Sequence, residues 1–406
     1  MLAALAWRNI WRQPWRTALS LTSIALAGAI TIFILSLQLG VYGTMKENVL
    51  RLVDGFAQVQ PPGYALDPDL RKTIAGPAAL MRRLEALPQV TATAPRATSY
   101  AILSNGPRSY GAAVVGIDPA REPAVSTLGA TVSRGRYLEP GDDDAAVIGA
   151  GLARNLKLAP GGQLTLLGEA ADGSIAADVL TVKGIFATGT PELDRQLVEM
   201  PLARFQDDFA LYGAVNTVAI SGKHLSAIQS ARPGIAAIAR ERKLVLRDWG
   251  QLEPALNDAI LLDMSFSSLL YVSLIVIVVF IILNTLLMSV LERTREFGML
   301  LALGMRPGQI GRMLWLELLI LAAAGSAIGV SLGGTLVFWL SAHGVAFAGA
   351  EALFHQWHMP SRLFPELSPL SLLGGPLAIA GSIALSGIVP YRHILRLRPI
   401  DAMRAA

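Results

Sequence analysis

MSFSSLLYVSLIVIVVFIILNTLLMSVL, running from Met264 to Leu291, is 28 residues long and carries no charge. About 20 apolar residues are enough to cross a bilayer as a helix, so this stretch reads as a membrane span. At 1.5 Å per residue it makes about 42 Å of helix against a hydrocarbon core of about 30 Å, so its outer part is expected to project as a stalk. Thr17 to Met45 (29 residues) and Leu367 to Tyr391 (25 residues) are also charge-free. A fourth run, Met313 to Ala342, is interrupted only by Glu317 near its start, where a long side chain is expected to snorkel to the interface. Composition agrees with four spans: of 406 residues, 53% are hydrophobic and 16% charged, with a mean hydropathy of +0.48, which argues against a water-soluble enzyme.

The flanking charge orients the chain. Eleven arginines (Arg8, Arg12, Arg16, Arg293, Arg295, Arg306, Arg312, Arg392, Arg396, Arg398 and Arg404) lie before the first run, between the second and third, and after the fourth, against only Glu292, Glu296 and Asp401. Residues 46–263 hold 22 basic and 24 acidic residues. Because basic residues concentrate on the cytoplasmic side of a membrane, both termini and the short 292–312 loop are expected inside, with 46–263 and 343–366 outside. The basic pI of 9.4 is then a membrane signature and implies no nucleic acid partner. Ala25-Leu26-Ala27 has the form of a signal-cleavage site, but the apolar stretch continues beyond it through Leu35, so the first run reads as an uncleaved anchor.

These boundaries divide the chain into a cytoplasmic amphipathic N-terminus (1–16), spans at 17–45, 264–291, 313–342 and 367–391, an extracytoplasmic domain (46–263), a cytoplasmic segment (292–312), an extracytoplasmic loop (343–366) and a cytoplasmic tail (392–406). The 218-residue insertion is long enough for a core of its own. It reads as mixed α and β: strands at 56–60, 97–103, 108–117, 163–168, 179–186, 215–220 and 244–246, a helix from Pro77 to Leu87, and another over 224–242 interrupted near Pro233. Asp172-Gly173 marks a hairpin turn. The order suits two lobes, the second inserted in the first.

Few residues point to catalytic chemistry. The chain has no cysteine, and its only Gly-Lys pair, Gly222-Lys223, lacks the glycine-rich lead and the Ser/Thr of a phosphate-binding loop. No nucleotide cofactor is therefore expected on this chain. Glu351, His355 and His358, spaced i, i+4, i+7, would share one face of a helix and zinc accepts such ligands; the plainer reading is a polar interfacial loop with Trp357 at headgroup level and Pro360 ending any helix. Asp142-Asp143-Asp144 lacks the alternating spacing of a calcium loop and reads as a solvated turn. In the third span Gly325, Gly329 and Gly333 recur every four residues, so another backbone can approach that face closely. The approach could be packing within the bundle or a seam between two copies.

The sharpest signal is Asn284-Thr-Leu-Leu-Met-Ser-Val-Leu-Glu-Arg-Thr-Arg-Glu-Phe-Gly298 followed by Met299-Leu-Leu-Ala-Leu-Gly-Met-Arg-Pro-Gly-Gln-Ile310. It resembles the signature of the FtsX-like permease family, membrane subunits of ABC transporters that include the lipoprotein-releasing LolC and LolE proteins and the macrolide exporter MacB. Trp7-Arg-Asn-Ile-Trp-Arg-Gln-Pro-Trp-Arg-Thr17 and Arg398-Pro-Ile-Asp-Ala-Met-Arg404 look like that family's two ends. The resemblance implies four transmembrane helices with a MacB-type periplasmic core domain between the first and second, and an FtsX-like permease domain over about 264–404.

It also implies two permeases, alike or paralogous, over an ABC ATPase that binds the ATP and Mg, with a periplasmic adaptor or lipoprotein as a further partner in the bacterial inner membrane. Glu292 to Gly304 is expected to continue the second span's helix and to end at Gly304, Pro307 and Gly308. By the resemblance, Glu292, Arg293, Arg295, Glu296, Phe297 and Gly298 contact the ATPase, Phe297 as an aromatic anchor. The layout, with no fused ATPase, suits lipoprotein release; MacB-like export of a peptide or small molecule, and mechanical regulation of cell-wall hydrolases, stay open.

Overall fold

The computed structural model describes residues 2–346 and 362–395. The described residues divide into two compact units, one of 2–43, 259–346 and 362–395, the other of Thr44–Asp258. Among the described residues four helices are long and apolar enough to cross a membrane: Pro14–Leu52, Pro254–Glu292, Pro307–His343 and Pro369–Arg392.

The first unit is helical. A short α1 (Leu2–Ile10) precedes α2 (Pro14–Leu52), and the Thr17 hydroxyl donates to the Ile10 carbonyl at 2.5 Å to fix the turn between them. Trp7 and Trp11 face outward while Ala6 and Ile10 are buried, the amphipathic division expected of an interfacial helix. Pro14, like Pro307 and Pro369 at later starts, lacks only an N–H that a first turn leaves unpaired anyway.

One core joins all four long helices. Ile24 and Ala27 of the first meet Val278, Ile282 and Leu286 of the second, Leu318 and Ala322 of the third, and Ile379 and Ile383 of the fourth. These recur at three- and four-residue spacing, so each helix turns one stripe inward and leaves the rest apolar and exposed, as lipid solvent requires. The helix of the second span extends beyond its uncharged run to 39 residues. One detail differs from expectation: Glu317 is buried at 8% exposure instead of reaching outward.

The second unit is a mixed α/β domain around a ten-stranded sheet. Its first strand β1 (Ala57–Gln60) lies between β10 (Val245–Asp248) and β9 (Thr217–Ser221), antiparallel to both. The long β2 (Ala92–Asn105) pairs with β9 over residues 92–96 and with β3 (Arg108–Ile117) over residues 96–105. Pro95 stands where β3 has not yet begun, which lets a strand pass through a residue with no N–H to give. The strand therefore starts five residues before the predicted one.

The two largest apolar cores of this domain form on the sheet. One gathers Leu50, Phe56, Val59, Leu80, Leu84, Val218 and Ile220 with Ile228 and Ile235 of the helix Leu225–Glu241. That helix runs unbroken through Pro233, contrary to the expected interruption. Its buried stripe of Ile228, Ala231, Ile235 and Ala239 holds both halves on one surface and outweighs the roughly 3 kcal/mol an interior proline costs. The other core gathers Leu103, Val114, Ile148, Leu164, Leu166, Leu180 and Val198 around the stacked rings of Phe205 and Phe209, 4.3 Å apart. The Asp172-Gly173 turn joins β6 (Gln163–Glu169) to β7 (Ile175–Phe186), with Gly173 at φ 88°, a value that favours glycine.

Candidate coupling site

The conspicuous segment after the second span folds as a separate helix. Pro254–Glu292 ends at Glu292, Arg293 turns at φ −98° and ψ 6°, and Thr294–Ala302 follows. The expected unbroken continuation is therefore corrected to a hinge of one residue, bridged by Arg293 N–H to the Ser289 carbonyl at 3.2 Å and Phe297 N–H to the Arg293 carbonyl at 3.0 Å. Gly304, at φ 91°, then reverses the chain and Pro307 opens the third span.

Phe297 does not present itself as an anchor. Its ring is wholly buried among Ala6, Val290, Ile310, Met313 and Leu314, and Gly298 beside it is buried too. The helical spacing explains the reversal: Phe297 and Leu301, four residues apart, share the face turned toward α1 and the third span, so the aromatic residue of an amphipathic turn goes inward. Arg295, Met299 and Leu303 take the outer face, the last two 53% and 84% exposed.

The charges find partners within the chain. Arg16 donates to both Glu292 carboxylate oxygens at 2.6 and 2.5 Å, and Arg12 donates to both Glu296 oxygens at 3.0 and 3.3 Å. Arg293, mostly buried, lies over the Phe297 ring at 5.3 Å, 3.4 Å from Glu296 and 3.6 Å from Glu317. Of the six residues assigned to ATPase contact, three thus knit the N-terminal arginines to the second and third spans, two are buried, and Arg295 is left facing outward. Between these groups lies a cavity of about 280 Å³ with a polar rim and an apolar floor.

The glycine stripe has one partner. A Cβ on Gly325 would meet Ile24 Cβ at 2.7 Å, on Gly329 the Ala25 carbonyl oxygen at 2.8 Å, and on Gly333 the Ala29 Cα at 2.9 Å. All three face the first span of the same chain, which selects packing within the bundle over a seam between copies.

Sequence reading missed a polar cluster toward the other end of the first and second spans. Gln38 donates to Tyr42 Oη at 2.6 Å, to Asp263 at 3.2 Å and to Ser267 at 2.7 Å, Tyr271 donates to Gln38 Oε1 at 2.7 Å, and Tyr42 donates to Asp263. Its signal was present as polar residues at positions 38, 42, 263, 267 and 271, which share faces at i, i+4 spacing. Of the Asp142-Asp143-Asp144 turn expected to be solvated, Asp143 and Asp144 are exposed, but Asp142 is 9% exposed and pairs with Arg136 at 2.7 Å. Glu351, His355 and His358, and the Arg398 to Arg404 motif, lie outside the described residues; among the described residues no group of side chains is placed to hold a metal ion.

Comparison with known proteins now bears on this arrangement. Residues 17–238 match the MacB-like periplasmic core domain, and residues 268–399 the FtsX-like permease C-terminal domain. The lipoprotein-releasing system transmembrane protein LolC of Neisseria meningitidis serogroup B is 26% identical over 96% of this chain and 94% of its own length. The macrolide export ATP-binding/permease protein MacB of a Shewanella species is 31% identical over 30% of this chain, which spans only 16% of that longer protein. The extracellular domain of the ABC-type transporter YknZ is 15% identical, covering 48% of this chain and 100% of that structure at a TM-score of 0.36. With one match covering more than half the chain and a second covering its membrane half, the protein belongs to the FtsX-like, MacB-type family of ABC transporter permeases.

Proposed function

We propose that this permease couples ATP hydrolysis by a separate ATPase subunit to movement of its periplasmic domain, in the release of lipoproteins from the bacterial inner membrane. The observation that carries this reading is the end-to-end likeness to LolC, which spans both units and leaves no large part of either chain unmatched. In this reading the termini and Thr294–Ala302 face the cytoplasm, as the arginine distribution favours, and a second permease, alike or paralogous, completes the transporter.

The ATPase contact then falls on the outer face of Thr294–Ala302 and the turn after it. Leu303 and Met299 offer exposed apolar surface beside Arg295, and methionine and arginine are both enriched at interfaces. Buried Phe297 takes the complementary role of fastening this short helix to the spans, so that force applied by the ATPase reaches the bundle. ATP and Mg stay on the partner; no residue of this chain is assigned to hydrolysis.

The experiment is co-purification of the ATPase with Leu303→Asp permease, alongside substrate-stimulated hydrolysis in reconstituted membranes. Burying an exposed charge in a partner groove costs about 2 kcal/mol or more at a hot spot, so complex yield should fall by an order of magnitude while insertion and folding persist. Wild-type complex yield and wild-type coupled turnover would move the ATPase contact elsewhere. Lipoprotein as cargo is tested separately, by capture of acylated protein on the wild-type complex.

A further inference from the structure

The cavity among the arginine-bearing helix ends has a feature that force transmission does not use. Glu317 lines it, is 8% exposed, and its Oε2 atom is buried with no hydrogen-bond partner. Its other oxygen lies 3.6 Å from Arg293, longer than a hydrogen bond. A buried carboxylate oxygen without a donor is costly, and the donor that best relieves it is a cationic N–H.

The same cavity is lined by Arg12 and Arg16, whose side chains are 59% and 36% exposed. Their carboxylate partners, Glu296 and Glu292, are each 40% exposed. Ion pairs this open to water are weak and readily exchange partners, so both guanidiniums can turn to a phosphate, which matches their donor geometry as well as a carboxylate does. The floor is apolar, made by Ile282, Leu286, Leu318 and Leu321 of the second and third spans.

A buried acceptor that lacks a donor and two exposed guanidiniums line one cavity, which complements a small molecule carrying both an ammonium and a phosphate. We propose that this cavity is a binding site for a phosphoethanolamine group, its ammonium donating to Glu317 and its phosphate held by Arg12 and Arg16. The volume of 280 Å³ sits near the lower end of small-molecule sites, roughly 300–1,000 Å³, and suits a headgroup better than a whole lipid. A quaternary ammonium has no N–H to give Glu317, so a choline headgroup is disfavoured. Basic pockets between membrane helices recognise lipid headgroups in general; here the carboxylate adds selection for an amine.

The test uses the intact permease in detergent and native mass spectrometry with added phosphatidylethanolamine, its N-methylated series up to phosphatidylcholine, phosphatidylglycerol, and free glycerophosphoethanolamine. The wild type should retain phosphatidylethanolamine about tenfold better than phosphatidylcholine, the loss of one charge-assisted hydrogen bond. Glu317→Gln should abolish that preference and leave phosphatidylglycerol binding unchanged, whereas Arg12→Gln with Arg16→Gln should weaken both phosphate-bearing lipids. Displacement of the lipid by glycerophosphoethanolamine identifies a soluble source; retention of the lipid against it identifies the membrane. Equal retention of the ethanolamine and choline lipids by the wild type overturns the proposal without need of any variant, and so does an undiminished preference in Glu317→Gln. Neither result touches ATPase co-purification, so the coupling reading is judged independently.

Discussion

Arg16 and Glu292 stand 276 positions apart in sequence and are joined by two charge-assisted hydrogen bonds of 2.6 and 2.5 Å. The pair ties the start of the first long helix to the last residue of the second, one residue before the Arg293 hinge. Both side chains are open to water, so the link orients more than it stabilises. Arg16→Glu should leave the thermal midpoint in detergent nearly unchanged but lower ATPase-coupled transport, and the reciprocal exchange with Glu292→Arg should restore it. Failure of the double exchange to recover activity would remove this pair from the coupling path.

Phe297 gives the opposite pattern. Its ring fills a wholly buried position, so Phe297→Ala should cost about 3–5 kcal/mol through lost burial and a cavity. The measurement is the thermal midpoint of the purified permease, with Leu303→Ala as a control expected to change it little. Equal midpoints for the two variants would mean that the Phe297 ring is not held as described.

Close backbone approach makes Gly329 sensitive to a single methyl. With the Ala25 carbonyl oxygen 2.8 Å from its added Cβ, Gly329→Ala must separate the first and third spans and should destabilise by about 1–3 kcal/mol. Gly381, in the fourth span, meets nothing within 4 Å, and Gly381→Ala should be neutral or slightly stabilising. Comparing detergent melting of the two variants distinguishes a packed seam from a general intolerance of larger residues.

The periplasmic domain should lose stability as pH rises. Glu199 is 2% exposed and accepts a hydrogen bond from Tyr137 at 2.5 Å. Burial first, and then the Glu122 charge, push its pKa from 4.5 to about 8; burial and the Asp54 charge likewise raise Glu253 to about 7. Between these ordinary and raised values the folded domain keeps protons that the unfolded chain releases, so stability is greatest at the acidic end of the window and declines toward pH 8. Glu199→Gln should flatten the decline, as read from urea midpoints of the domain's hydrogen-exchange protection at pH 5.5 and pH 8. An equally steep fall in the variant would assign the dependence elsewhere.

Arg96 and Glu122 form a buried ion pair, 6% and 1% exposed, with contacts of 3.1 and 2.5 Å. Arg96→Met strands the Glu122 carboxylate and should cost about 3–5 kcal/mol. Arg96→Met combined with Glu122→Leu should recover much of that loss, because the desolvated charge goes with its partner. Similar urea midpoints for the single and double variants would show that packing around the pair, and not its charge, sets the cost.

Span number, the α/β character of the insertion and the family were legible in the sequence because each rests on local or additive quantities. A run such as Met264 to Leu291 is apolar whatever surrounds it, and the strand-turn-strand pattern around Asp172-Gly173 is set by residues that touch in sequence. Direction was not legible, since periodicity says that a helix has two faces but not which one meets the protein. Phe297 read as an anchor for a partner, and only the arrival of Ala6, Ile310 and Met313 from other segments made it core. The same holds for Gly329, whose bare face awaited the first span's Ala25, and for Glu317, which charge and position alone placed at the interface. Burial is a property of what packs against a residue, and that partner is chosen by the tertiary structure over hundreds of positions of chain.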